Sequence, residues 1–327
     1  SDCEHNAKKH KEADIMPFTS GYVTGTTSDP AHYKFLDVVR NFAVANGWEQ
    51  LMYDGTSANR YVFLRGPGLT GNDPVWVGLD TYQSVYNGYY NIALSCSNGF
   101  LSSQDYYHQP QIKRIGIALS YDRIDYWIHI NAQRIVFVCK VGQTYYEHGY
   151  IGKFIPYLSP IQYPYPAFVG GMLGYNSYNE YDTWTGILST VRYDSTSNQY
   201  SPYFGTQYRG GGLHGWNGQV YSSFDNAWSA CEKITVGSDT KAHGYMAPEL
   251  SGERPIYNID LAIVYDFEPQ YQLLRAGIYG TLDGVYLINP RYPEVYAEDT
   301  FTVEDKHFIA FSPYTGSMGQ VLLQIDD

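Results

Sequence analysis

The chain has 327 residues and a formal net charge of −12, with no basic stripe, so nucleic-acid binding is not expected and an acidic surface repels anionic lipid. It carries no run of about 18 consecutive apolar residues, so no membrane insertion is expected, and its length suits two or three domains or one large β unit with elaborations. The unusual count is tyrosine: 35 Tyr with 14 Phe and 6 Trp, against 17% charged residues. Tyrosine joins a large apolar ring to one hydroxyl at low entropic cost, which suits half-buried sheets and contacts with partners or sugars.

In chain order, residues 1–28 read as a polar N-terminal arm with one short strand at most. No apolar stretch follows the charges of Ser1 to His10, so no secretory signal is expected, and Ser1 fits a removed initiator Met. Cys3, His5 and His10 lack a fourth ligand and a fixed scaffold, so they read as a solvated arm, not a metal site. Cys96, Cys139 and Cys231 form no CxxC pair with Cys3 or one another. Zinc spacing is therefore absent, Cys96 and Cys139 are expected as small core residues, and a reducing compartment is expected. No metal or cofactor is expected.

Residues 29–111 read as a helix followed by an antiparallel sheet. Asp29 is expected to cap the helix with Pro30 at its first position. Phe35, Val38, Val39 and Phe42 follow the amphipathic stripe of a helix over 31–45, and Gly47 is expected just past its end with Trp48 folding back. Strands follow at 48–53, 60–65, 75–82 and 89–97, separated by Gly, Asn, Asp and Pro turn signals. Residues 98–111 read as a polar aromatic loop.

Residues 112–193 form the expected central β unit. It begins with a strand at 114–121. Tyr126 to Ile130 and Arg134 to Val141 then read as a hairpin turning at Asn131-Ala132-Gln133. In the second strand Ile135, Phe137, Cys139 and Val141 point one way and Arg134, Val136, Val138 and Lys140 the other, the period of a strand with one buried face. Pro156, Pro160, Pro164 and Pro166 make the next stretch stiff and extended. This aromatic strap, with Tyr157, Tyr163 and Tyr165, either closes over the chain's own core or contacts a neighbouring subunit. Residues 172–193 read as further strands.

Residues 194–254 read as an irregular Gly- and Tyr-rich excursion. Its Arg209 to Gly218 segment lacks the Lys-Ser/Thr of a phosphate loop, and long excursions of this kind are often functional. Residues 255–327 form the expected C-terminal β unit, with strands at 258–265, 273–280, 284–288, 301–303, 307–311 and 321–325, and Asp283-Gly284 as a turn before a strand. The fold class is mainly β, α+β at the N-terminus: antiparallel sheets in sandwich-like layers with one amphipathic N-terminal helix.

No metalloprotease HExxH, EF-hand loop or GxSxG elbow occurs. Asp80, Glu180, Asp182 and Asp225 are the carboxylates from which a glycosidase pair would be drawn, but Glu180 and Asp182 read as a solvated strand face. His129, beside Trp127, reads as a hydrogen-bonded core or interface histidine. Trp184, Trp216 and Trp228 suit either sugar stacking or anchoring at a subunit boundary. The expected catalytic set is empty.

One series of residues carries a resemblance: Ala45 to Trp48, Leu64 to Gly68, Tyr126 to Val136, Lys140 to Gly142, Tyr146, Gly149 to Gly152, Pro156-Tyr157, Pro160, Gln162 to Pro166, Gly170-Gly171, Leu282 to Tyr286 and Glu298 to Thr300. It resembles a family of virion structural proteins of tailed bacteriophages, associated with the tail or baseplate, over residues 31–327. The tip at Ala132-Gln133, where a Gly is expected, departs from that pattern, and residues 1–28 match no part of it. The resemblance transfers no enzymatic residues. It implies a non-enzymatic virion subunit at the baseplate or tail tip, assembled in the bacterial host cytoplasm. Its expected partners are copies of itself and other tail proteins. Tyr157, Tyr163, Tyr165, Trp216 and Trp228 are the expected contact residues. The alternatives are a carbohydrate-binding module for a host-surface glycan and, further off, a glycan-degrading enzyme.

Overall fold

The computed structural model describes residues 17–83, 90–110, 113–142, 145–157, 165–172, 193–194, 199–200, 217–222, 227–233, 256–268, 273–288, 295–311 and 320–326. Strand β1 is Phe18–Thr24, helix α1 Ala31–Ala45, β2 Glu49–Asp54, β3 Tyr61–Gly66, β4 Val75–Gln83, β5 Tyr90–Ser97 and β6 Lys113–Leu119. Then come β7 Arg123–Ile130, β8 Arg134–Val141, β9 Tyr145–Lys153, β10 Ile155–Pro156, β11 Ala167–Met172, β12 Tyr193–Asp194 and β13 Gln199–Tyr200. The chain continues with β14 Asn217–Ser222, β15 Ala227–Lys233, β16 Ile256–Glu268, β17 Leu273–Ile288, β18 Thr300–Val303, β19 Lys306–Phe311 and β20 Gln320–Gln324. The protein is mainly β, with antiparallel sheets and one amphipathic helix near the N-terminus.

Helix α1 forms where the apolar period places it, but its ends differ in chemistry. Pro30, not Asp29, occupies the N-cap position, and no side chain caps the helix. Asp29 pairs instead with Lys34 at 3.1 Å. The C-terminus closes as expected: Gly47 N–H donates to Val44 O at 3.3 Å and Trp48 N–H to Ala43 O at 3.1 Å, with Gly47 at φ +87°. This reciprocal pair of bonds satisfies two of the helix's last carbonyls and turns the buried Trp48 inward. The buried face consists of Ala31, His32, Phe35, Leu36, Val39 and Ala43, whereas Val38 and Phe42 lie at its margin, half-buried.

Two large sheets organise the rest. The five-stranded sheet runs β2-β3-β4-β5-β6, so 113–119, grouped with the central unit in the sequence, is the last strand of the first sheet. A 13-stranded sheet runs β1-β7-β8-β9-β11-β14-β15-β16-β17-β20-β19-β18, with β10 added beside β17. Strands from the N-terminal arm, central unit, Gly-rich excursion and C-terminal unit all enter it. Strands β9, β11, β14 and β15 have no counterpart in the sequence reading; in β9, β11 and β14 the Gly and Tyr content hides the alternation that marks a strand.

The central hairpin forms in the expected register, Ile130 opposite Ile135. Its second strand is a correction. Strand β8 is buried on both faces, and Arg134, expected on the outer one, is fully buried. Ile135, Phe137, Cys139 and Val141 join a core with α1 and the five-stranded sheet. Val136 and Val138 join a second core with Leu282, Val285, Ile309, Phe311, Val321 and Leu323 from the far end of the same large sheet. The near strands are thus the middle of three layers. Burial of β8 on both sides removes the polar alternation that a half-exposed strand would show.

Strands expected at 273–280 and 284–288 are one strand, β17. Asp283-Gly284 is not a turn before it but an irregularity within it: Asp260 pairs with Thr281 while Asn258 pairs with Tyr286. The intervening residues of β17 bulge out of the ladder, as an inserted segment must. A Gly47→Ala variant is expected to lose about 1 kcal/mol in a urea melt, because a Cβ there meets no atom within 4 Å and the cost is the left-handed backbone alone.

Candidate functional site

The hairpin tip at 131–133 is where separate parts of the chain meet. Asn131 Oδ1 accepts from the Gln133 and Arg134 amides, each at 3.0 Å, so a side chain holds the turn where Gly was expected. The three carbonyls of the tip each have a partner. Trp48 Nε1 donates to Asn131 O at 2.9 Å. Gly68 N–H donates to Ala132 O at 2.9 Å and Lys153 N–H to Gln133 O at 2.8 Å. Helix end, Gly66-Pro67-Gly68 loop and β9 are all pinned to one turn.

Beneath the tip lies a buried ion pair. Arg134 Nε stands 2.9 Å from Asp283 Oδ2, and Asn131 Nδ2 donates to the same oxygen at 2.8 Å. Burial pushes the Asp283 carboxyl up, but the Arg134 charge and the bonds from Arg134, Asn131 and Gln133 outweigh it and hold the group below its usual value. Arg134 also lies 3.4 Å from His129 Nδ1. Burial first, and then the Arg134 charge, drive His129 well below the ordinary histidine range. Gly284, at φ +73°, lets the backbone pass beside the guanidinium; a Cβ there would overlap Arg134 Nη2. The bulge in β17 therefore exists to bring Asp283 to Arg134.

A second tie lies at the other end of β8. Lys140 Nζ donates to Glu298 Oε1 at 2.5 Å and Tyr146 Oη to the same atom at 2.7 Å. Burial and then the Glu298 contact raise the Tyr146 hydroxyl to about 12. Glu298 itself has φ +72°, unusual outside glycine. Lys153 Nζ binds both Asp73 O and, at 3.1 Å, Asp73 Oδ2.

Arg134 is sealed, His129 is held neutral, and Asp283 is committed to cationic and amide donors. The other carboxylate candidate with a described position, Asp80, is fully buried and accepts from Tyr106 Oη at 3.1 Å. Glu180, Asp182, Asp225 and Trp184 lie outside the described residues, as do Cys3, His5 and His10. Among the described residues, no cluster of His, Cys, Asp and Glu could hold a metal ion. Cys96 and Cys139 are free and buried, as expected.

The expected contact residues separate. Tyr157 is half-exposed just after β10. Tyr165 turns inward: its ring packs against the first core, its hydroxyl accepts from the Trp76 amide at 3.3 Å, and burial drives its pKa up strongly. At this residue the strap closes over the chain's own core. Trp228 stands in β15 opposite Tyr221. Tyr163 and Trp216 lie outside the described residues. Other exposed rings went unnoticed in the sequence: Tyr22 is 60% and Tyr296 69% exposed, with Tyr107 and Tyr121 also above a third. Scattered tyrosines of this kind carry no periodic signal.

The 98–111 loop holds more order than expected. Asp105 Oδ1 accepts from the Tyr107 and His108 amides at 3.0 and 3.1 Å, capping a short turn over Tyr106–His108. Tyr106 is thereby buried, its ring stacked on Tyr61 at 4.8 Å, while Tyr107 stays outside. The Asp105 cap was the signal that could have located this turn.

Arg134→Met alone is expected to cost about 3–5 kcal/mol, because it strands a buried carboxylate. The double variant Arg134→Met, Asp283→Leu should recover part of that loss; urea melts of the set give the coupling energy. Acid should weaken the fold. His32 is buried, and burial with the Arg60 charge lowers it to about 3. Between pH 6.5 and about 3 the unfolded chain binds a proton that the folded one refuses, so stability falls with pH by up to about 1.4 kcal/mol per unit for this group. A His32→Phe variant should show a shallower loss of urea midpoint over that window.

No protein-family model matches the chain. No curated protein matches it either.

Proposed function

We propose that this chain is a non-enzymatic structural subunit of a tailed-phage virion, placed in the tail at the baseplate or tail tip, and that it works by contacts with copies of itself and other tail proteins. The observation that carries the reading is a pairing of opposites. The interior is tied by a buried ion pair and amide donors, while Tyr22, Tyr107, Tyr121, Tyr157 and Tyr296 stand exposed on that fixed body. Rigid aromatic side chains on a rigid frame lose little entropy on burial and make favourable anchors. The resemblance to virion proteins supports the same role. Several of its separate elements meet: Trp48, Gly68, the 131–134 tip and Asp283 are bonded at one place, and Lys140, Tyr146 and Glu298 are bonded to one another at the other end of β8.

A glycan-binding reading has one observation in its favour, the exposed Tyr107 ring beside the exposed Asp105 and His108. A sugar ring stacks on such a face and hydrogen-bonds to such neighbours. Binding on a glycan array that Tyr107→Ala abolishes would favour it.

Assembly is tested by mass spectrometry of purified, tail-fractionated particles and by sedimentation of the isolated chain. The chain should occur in the tail fraction and self-associate as concentration rises. Tyr157→Ala and Tyr296→Ala should each weaken incorporation, by about 1–2 kcal/mol where the ring is a central anchor. A chain that stays monomeric and is missing from particles would overturn the proposal.

A further inference from the structure

We infer that the outer edge of β1 is a docking edge for the β1 of a second copy, paired antiparallel about a twofold axis near Gly21. The two large sheets end in strands β1, β18, β2 and β6. Exposed strand edges are templates for pairing, and proteins protect them with charge, bulges, proline or brevity. Three of these four carry such protection. Strand β2 begins with the exposed Glu49 and has a register irregularity between Gln50 and Met52. Strand β6 begins Lys113-Arg114. Strand β18 has only four residues. Strand β1 has seven residues, Phe-Thr-Ser-Gly-Tyr-Val-Thr, without charge or proline, in unbroken register with β7.

The direction of its backbone groups follows from two bonds at its ends. Ile130 N–H donates to Pro17 O and Gly25 N–H to Asp122 O. In an antiparallel ladder such positions alternate, so the odd residues face β7 and Phe18, Ser20 and Tyr22 present their N–H and C=O outward, while at the strand's end Thr24 O accepts from Lys34 Nζ at 2.8 Å, which confines the open edge to the stretch around Gly21. Ser20, Gly21, Tyr22 and Thr24 are exposed, and among the described residues no strand lies on that side.

The occupant follows from the strand's own composition. A second β1 laid antiparallel over Gly21 sets Ser20 beside Tyr22 and Phe18 beside Thr24, with no charge opposite a like charge. The two glycines meet at a position without direct hydrogen bonds, where strands approach most closely. The contact is isologous and closes after two copies. It buries the Tyr22 ring, whose face already carries the Arg123 guanidinium at 4.3 Å.

This inference rests on the assembly reading above, and the two fail differently. The test is hydrogen exchange of the full chain across a dilution series, with sedimentation alongside. The Ser20 and Tyr22 amides should be protected in the dimer and lose that protection on dilution. Ser20→Pro removes one outward donor without touching the β7 ladder, and it should weaken dimerisation at least tenfold while leaving the far-ultraviolet spectrum, and the urea midpoint at dilutions where both chains are monomeric, unchanged. Should Ser20→Pro shift that spectrum, the exchange data on the unaltered chain decide alone. A chain monomeric at every concentration overturns this inference, and the assembly reading falls with it only if the chain is also missing from particles. An oligomer in which these amides exchange freely keeps assembly and removes β1 from it. Protection that is independent of dilution assigns the edge to a segment of the same chain and overturns the inference.

Discussion

The structure depends on one buried contact, Arg134 with Asp283. The two residues are far apart in the chain, one at the start of β8 and the other in the bulge of β17, and their pairing fixes how the far end of the large sheet returns over its near end. A guanidinium taken out of water costs several kcal/mol unless its donors are met. Here Asp283 Oδ2 at 2.9 Å meets Nε, and Gly284 leaves room for the rest of the group. Any slip of β17 along β8 would strand both charges. The net stability of such a pair is small, so its effect is chiefly on register: apolar contacts between Val136, Val138, Leu282 and Val285 would tolerate a shift, and the ion pair does not.

The same logic runs outward from the tip. Asn131, Ala132 and Gln133 give their carbonyls to Trp48, Gly68 and Lys153, so the helix, the five-stranded sheet and β9 are aligned by directional bonds at one place. The cores on either side of β8 then fill by ordinary apolar burial, at roughly 25 cal/mol per Å². The division of labour is physical: burial supplies the bulk of the driving force without direction, and a few polar contacts choose among packings that burial alone would leave nearly equal.

A body fixed in this way leaves its tyrosines in two populations. Tyr106, Tyr150 and Tyr165 are turned inward, with hydroxyls bonded to Asp80, Lys153 O and the Trp76 amide. Tyr22, Tyr107, Tyr121, Tyr157 and Tyr296 remain outside. The proposed assembly role draws on the second group, and the first explains why a tyrosine count by itself overstates it. One residue type serves both because its ring accepts burial while its hydroxyl needs only one partner.

The sequence alone determined the local structure. The 3.6-residue stripe and Gly47 delimit α1 because helix periodicity and the left-handed C-terminal residue are local demands. The strands of the first sheet and the central hairpin were legible for the same reason, between turn residues with clear preferences. The buried roles of Cys96, Cys139 and His129 followed from their apolar surroundings. Only the tertiary structure decided the rest. That β8 has two buried faces, that 113–119 completes the first sheet, that Asp283-Gly284 is a bulge instead of a turn, and that Tyr165 points inward while Tyr157 points out all depend on what lies across from each residue. Those neighbours come from distant parts of the chain. Periodicity records whether a face avoids water, but it carries no information about which segment covers that face.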